Sequence, residues 1–194
     1  MLTFTTVVGP VKAGKSRALI QRFEDEYASI RLFSAKQAQE NGEKIKSRAG
    51  GVVLNSISIS SMSEILYHLE FPTKPTLILV DEVQFINAEP TILQYILAEL
   101  GSRDIDLVVY GLDMDYKGMP FATTALCMSM ADKVVKVHGT CDICHLASST
   151  MSLRMYNNKP VSLSADVDLV QLDNTGETTY LTVCRDCFNK IYNN

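Results

Sequence analysis

The chain reads as an α/β protein built on a parallel sheet, with a smaller unit of different character at its carboxyl end. Three observations predict this. Short apolar strands alternate with amphipathic helices as far as about residue 138, and a G-x-x-x-x-G-K-S segment, Gly9 to Ser16, joins the first strand to the first helix. From Gly139 onward the pattern breaks into short polar and β-branched pieces set between two C-x-x-C pairs. Residues 1–138 are accordingly assigned to an α/β unit and 139–194 to a second, small one.

The elements follow in order. Leu2 to Val8 is a run of apolar and β-branched residues ending at Gly9-Pro10, which predicts a buried strand meeting a loop. The helix after it begins near Lys15, because Leu19, Ile20, Phe23 and Tyr27 recur at helical spacing. Ile30 to Phe33 is a second short strand. From Ser34 to Gly51 there is no apolar period and Lys, Glu, Gln, Asn and Gly dominate, which predicts a flexible surface segment. Val52 to Ile59 is strand-like. Ser61 and Glu64 make an S-x-x-E capping box, opening a helix with the apolar face Met62, Ile65, Leu66 and Leu69. Thr76 to Val80 is continuously apolar after its first residue, as in a central strand covered on both faces. A helix from about Glu89 to Leu100 turns Ile92, Leu93, Ile96, Leu97 and Leu100 inward, and Leu107 to Gly111 is the next strand. In such a sheet, ligands gather beyond the carboxyl ends of the strands.

Composition narrows the class of function. With 46% hydrophobic residues among 194, the chain can bury a real core. A formal charge of −4 and a pI near 5.4, with Lys and Arg spread along the chain, provide no basic field for a nucleic-acid backbone, so nucleic acid is not expected as a partner. No apolar run approaches the roughly 20 residues of a membrane span, and the first residues lead into a strand without a basic leader. The expected location is the cytoplasm, that of the host if the chain is viral, with no membrane partner.

Gly9-Pro10-Val11-Lys12-Ala13-Gly14-Lys15-Ser16 stands where a phosphate-binding loop belongs, after an apolar strand and before an amphipathic helix. Its glycines let backbone N–H groups curl around phosphate, the helix start adds partial positive charge, Lys15 reaches the β- and γ-phosphates, and Ser16 offers a hydroxyl to Mg²⁺. Lys12 is either a further phosphate contact or a solvated side chain. Asp81 and Glu82 close the apolar strand Leu77 to Val80, which is where the second half of such a site belongs. Asp81 suits the Mg²⁺ ion or its water shell. Glu82, one residue on, projects to the opposite side of an extended backbone, as a base for an acceptor hydroxyl or for water.

Cys141/Cys144 and Cys184/Cys187 have the spacing of a four-cysteine zinc site, and a site filled by four protein ligands is structural rather than catalytic. Cys127 sits among Ala125, Leu126, Met128 and Met130 and reads as a buried apolar residue. His145 directly follows Cys144 and is the histidine best placed to substitute as a ligand. Phe85, Tyr116 and Phe121 are core aromatics or pocket walls; their shared location beyond strand ends favours the pocket.

The ordered set GPxxxGKS, D-E-x-Q-F (Asp81 to Phe85), G-L-D-x-D-Y-K-G-x-P-F (Gly111 to Phe121) and the two C-x-x-C pairs resembles the thymidine kinase family of the cytosolic, zinc-containing type, over nearly the whole chain. The resemblance implies a RecA-like P-loop domain with a zinc-bound lasso domain. It implies Mg-ATP as donor, thymidine and often deoxyuridine as acceptor, a homotetramer, and feedback inhibition by dTTP. Position by position, it implies that Glu82 takes the 5′-hydroxyl proton, that Asp81 and Ser16 serve the metal, and that Gln84 joins the nucleotide-binding set. Phe85, Leu112, Tyr116 and Phe121 match residues that enclose the thymine ring, and Arg154 and Tyr180 match lasso residues. The lasso backbone that reads the base would come from about Asp173 to Thr179.

The chain also departs from the family pattern. Lys36 to Gly42 lacks the D-x-R-Y that commonly follows the second strand, and Lys36, Lys44, Lys46 and Arg48 are the cations available to replace its arginine. Val83 stands where a small residue is usual, Val11-Lys12 where an apolar pair is frequent, and Tyr116 where Phe is commoner. Two other functions fit the same motifs: an ATPase module whose zinc knuckle binds nucleic acid or protein, and a weakly active nucleotide-binding homologue.

Overall fold

The computed structural model describes residues 2–25, 29–35, 44–46, 53–69, 73–165 and 177–193. In chain order these form β1 (Phe4–Val8), α1 (Lys15–Asp25), β2 (Ile30–Ala35), β3 (Lys44–Lys46), β4 (Val53–Asn55), β5 (Ile57–Ile59), a 3₁₀ helix (Met62–His68) and β6 (Leu77–Asp81). A 3₁₀ turn (Val83–Phe85) and α2 (Pro90–Ser102), β7 (Asp106–Gly111), α3 (Ala122–Met130) and β8 (Lys133–Lys136) follow. The chain ends with β9 (Met151–Tyr156), β10 (Lys159–Pro160), β11 (Thr178–Val183) and α4 (Arg185–Tyr192).

Six strands make one parallel sheet in the order β5-β2-β6-β7-β1-β8. Its centre follows from alternation along the strands. On β6, Ile78 and Val80 pack with Leu93, Ile96 and Leu100 of α2, while Leu77 and Leu79 pack with Leu19 and Ile20 of α1. Successive side chains point to opposite faces, so a strand with helices on both sides must be apolar throughout, as this one is. The expected α/β class with a parallel sheet is what the structure has.

Several local readings need correction. Ile92 is 38% exposed, because the buried face of α2 is centred on Leu93, Ile96 and Leu100 and Ile92 stands at its shoulder. The strand expected over Val52 to Ile59 is, in its described part from Val53 onward, two strands parted at the buried Ser56, whose hydroxyl bonds to that of Ser34 at 2.8 Å. The stretch read as a flexible surface segment holds the end of β2 and all of β3, an antiparallel partner of β4 whose Ile45 is buried with the α1-side core. One apolar residue between two lysines is too short a signal for periodicity to detect. The remainder of that stretch, 36–43 and 47–51, lies outside the described residues. The capping box is present, with Glu64 accepting the Ser61 N–H, but the helix it opens is 3₁₀. Helix α3 and the edge strand β8 escaped sequence reasoning, the latter because Lys-Val-Val-Lys is short and half exposed.

The carboxyl-terminal part has its own architecture. β10, β9 and β11 form an antiparallel sheet, and Met151, Leu153, Val183 and Phe188 cluster with the cysteines.

Candidate active site

Because β1, β6 and β7 are neighbours running in one direction, their carboxyl ends share an edge of the sheet. Onto this edge the chain delivers Gly9 to Ser16 after β1, Asp81 to Phe85 at the end of β6, and Leu112 to Phe121 after β7. The close approach of Gly9 to the chain beside it is compulsory: a Cβ there would lie 2.2 Å from the Val137 carbonyl oxygen. Gly14 takes φ +91, a value that favours glycine. Between them the loop wraps its own lysine, and the buried Lys15 Nζ donates to the carbonyls of Gly9 at 3.0 Å and Pro10 at 2.7 Å. Ser16 follows on the first turn of α1.

Pro10 and Ala13 close the loop from inside, the Ala13 N–H donating to the Pro10 carbonyl. Val11 and Lys12 form its crown, which is held from outside. The Val11 N–H donates to Ser152 Oγ on β9 at 3.1 Å, the Thr182 hydroxyl on β11 donates to the Val11 carbonyl, and Lys12 Nζ donates to the Tyr180 carbonyl at 2.5 Å. Lys12 is an exposed residue, but its ammonium is engaged by the Tyr180 carbonyl. Ser152 and Thr182 were not legible as site residues, since nothing local in sequence marks two β-strand hydroxyls as loop partners.

Asp81 is 5% exposed at the end of β6. Burial pushes its carboxyl up to about 8, the neighbouring Glu82 adds to this, and the Glu82 N–H and Lys15 act in the opposite direction. Glu82 is not on extended backbone. It sits at φ 55, ψ 43, in the left-handed region, and starts the 3₁₀ turn. The turn, rather than strand alternation, sets the course of the backbone that carries its carboxylate. Gln84 then fixes it: Nε2 donates to Glu82 Oε2 at 2.5 Å while Oε1 accepts the Leu112 N–H at 2.9 Å.

The aromatic residues fall into two groups. Phe85 and Phe121 meet edge to face, with ring centroids 6.2 Å apart. Tyr116 is 2% exposed, and the Lys117 ammonium and Arg154 guanidinium lie 5.6 and 5.4 Å from its ring centroid. Arg154 on β9 is directly opposite Tyr180 on β11. The segment carrying Tyr116 is folded by Asp115, whose Oδ1 accepts the N–H groups of Lys117 and Met119, with Gly118 at φ +80. Asp113 pairs with Lys136 at 2.7 Å. Both aspartates belong to the G-L-D-x-D motif, and an Asp followed by Gly three residues later is a turn signal that could have identified the role of Asp115.

Cys141, Cys144, Cys184 and Cys187 converge, their Sγ atoms all within 4.8 Å of one another and those of Cys144 and Cys184 at 4.0 Å. Zinc–sulfur bonds of about 2.3 Å in a tetrahedron require sulfurs about 3.8 Å apart, so the set fits zinc. Local structure prepares it. Cys184 caps α4 and its Sγ accepts the Cys187 N–H. Burial raises the Cys141 thiol, yet the N–H groups of Cys144, Cys184 and Ile143 outweigh this and bring it to about 6. The hydrogen bond with Cys184 heads the causes that push Cys187 up to about 12. Four thiols this close cannot all ionise without a cation among them. His145 is exposed, at φ 56, and is not among the clustered ligands. Cys127 is fully buried, which pushes its thiol up to about 12.

Lys36 and Arg48 lie outside the described residues, as does the lasso backbone from 173 to 176; only the backbone of Lys44 and Lys46 is described. Among the described residues, no helix is long and apolar enough to cross a membrane.

A family model for thymidine kinase matches residues 2–188. A thymidine kinase of Pseudothermotoga lettingae is 29% identical over 195 residues, spanning 96% of this chain and 95% of its own. Thymidine kinases of Ureaplasma parvum and Ureaplasma urealyticum are 32% and 33% identical over 185 residues, each alignment spanning 92% of this chain and 79% of the relative.

Proposed function

This chain belongs to the thymidine kinase family, a family of phosphotransferases, and on that premise we propose that it transfers the γ-phosphate of ATP to the 5′-hydroxyl of thymidine in deoxynucleotide salvage. The observation that carries the reading is the bridge made by Gln84, which holds the Glu82 carboxylate with one end of its amide and the Leu112 backbone with the other. An acid intended for a water molecule has no need of such a link to the segment that carries Leu112, Tyr116 and Phe121.

In this mechanism Gly9 to Ser16 cradle the triphosphate, and Lys15 exchanges its two loop carbonyls for phosphate oxygens. Phe85, Leu112, Tyr116 and Phe121 enclose the base, with Arg154 and Tyr180 closing the pocket from β9 and β11. Glu82, aimed by Gln84, accepts the 5′-hydroxyl proton as the oxygen attacks the γ-phosphorus. Ser16 and Asp81 would hold Mg²⁺, which when bound neutralises charge on the phosphates. The four cysteines would hold a structural zinc, leaving no coordination position for substrate.

The division at 138/139 belongs to the same reading, supported by the separate cluster around Cys141, Met151 and Val183. So do deoxyuridine as second acceptor, dTTP as feedback inhibitor, a homotetramer and a cytoplasmic location, all of which rest on the family resemblance.

The test is to incubate the pure protein with Mg-ATP and each deoxynucleoside and identify the products. Formation of dTMP supports the reading. ADP release without a nucleoside would replace it with an ATPase, and tight dTTP binding without turnover with an inactive homologue.

A further inference from the structure

Lys12 belongs to one site and is bonded to another. Its Nζ donates to the carbonyl of Tyr180, 168 residues away, beside the two bonds that Val11 makes with Ser152 and Thr182. The outward position of the partner carbonyl has a definite reason. Among the described residues β11 is at the edge of its sheet, with β9 on one side only. In an edge strand, alternate residues turn their N–H and C=O groups outward. Thr182 is one of these, donating its N–H to Asp142 Oδ2 at 2.7 Å and accepting the Asp142 N–H at 2.8 Å. Tyr180, two residues earlier, has the same orientation, and Lys12 takes its carbonyl.

The backbone at Lys12 makes the side chain harder to regard as incidental. Its φ of 57 lies in the left-handed region, which glycine adopts freely and lysine only where surrounding contacts hold it. On the far side of the bond, Tyr180 lies opposite Arg154, and Arg154 stacks on the buried ring of Tyr116. A continuous series of contacts therefore runs from the crown of the phosphate loop to the aromatic wall on the acceptor side.

We propose that Lys12 is a positioning residue that couples the phosphate-binding loop to strand β11, so that nucleotide in the donor site and nucleoside in the acceptor site strengthen one another's binding. This rests on the thymidine kinase reading. Nucleotide fixes the loop in the shape that aims Lys12 at Tyr180, and the Lys12 bond in turn holds β11 and Arg154 where the base is enclosed. By reciprocity, thymidine must tighten nucleotide binding by the same factor.

Calorimetry tests this with thymidine, with and without a non-hydrolysable ATP analogue and Mg²⁺. In the wild type the analogue tightens thymidine binding by at least about fivefold. Lys12→Met retains a side chain of similar length on the same exposed residue and removes the ammonium. It is expected to bring the factor to about 1, while the affinity for thymidine measured alone changes by less than about threefold. Lys12→Arg, which can reach the same carbonyl, should restore most of the coupling. The proposal is overturned if the wild type shows no coupling, if Lys12→Met retains it, or if the loss falls on the analogue alone, as expected for a simple phosphate contact. A wild type that binds no thymidine would instead overturn the functional reading beneath it, and would show this before any variant is compared.

Discussion

Gln84 and Glu82 form a fixed pair, with the amide Nε2 donating to the carboxylate Oε2 at 2.5 Å while the other end of the same amide accepts the Leu112 N–H. The pair is 8% exposed at Gln84, so water cannot readily substitute for the amide donor. Gln84→Leu should therefore lower kcat by about tenfold, the equivalent of one hydrogen bond to a charged group, with the KM for ATP almost unchanged. Steady-state kinetics with both substrates varied checks this. An unchanged kcat would mean that Glu82 is aimed by its backbone alone.

Gly111 is the last residue of β7 and lies directly beneath that amide. A Cβ at this position would be 2.6 Å from Gln84 Oε1 and 2.8 Å from Val83 Cγ1. Gly111→Ala should destabilise the fold by about 1–3 kcal/mol, as overpacking does. It should also reduce turnover, because Gln84 is the neighbour that must yield. Chemical denaturation and kinetics on the same preparation check both effects, and a variant with wild-type stability would show that the contact relaxes without cost.

The cysteine cluster makes a separate prediction. Purified protein should contain one zinc per chain, and a strong chelator should lower its melting temperature. Cys184→Ser removes a thiolate ligand while leaving a hydroxyl able to cap α4. Because β11 leads directly into that helix, the KM for thymidine should rise more than that for ATP. Elemental analysis and paired kinetics measure this, and metal-free protein of undiminished stability would contradict it.

What could be read from the sequence was what is carried by local pattern. The apolar run before Asp81, the helical spacing of Leu19 and Ile20, and the cysteine spacing each fix a strand, a helix face or a ligand set within a few residues, and the structure has them. Relationships between distant segments could not be read. Strand alternation assigned Glu82 a direction, but its left-handed φ of 55 overrides alternation, and a single residue's φ leaves no trace in a hydrophobic pattern. Lys12 could be narrowed only to phosphate or solvent, because its partner is a backbone carbonyl on an edge strand 168 residues away. Ser152 and Thr182 look like ordinary strand hydroxyls until the loop is seen against them.

The most direct test of the whole account is single-turnover transfer of γ-labelled phosphate from Mg-ATP to thymidine, measured for the wild type and Glu82→Gln together with the affinity of each for an ATP analogue. The wild type should place the label on dTMP. Glu82→Gln keeps the shape and the contact with Gln84 but loses the proton acceptor, so transfer should slow by about 10²-fold or more while analogue affinity changes by less than about twofold. Label appearing only in inorganic phosphate, or a Glu82→Gln variant that transfers at the wild-type rate, would contradict it.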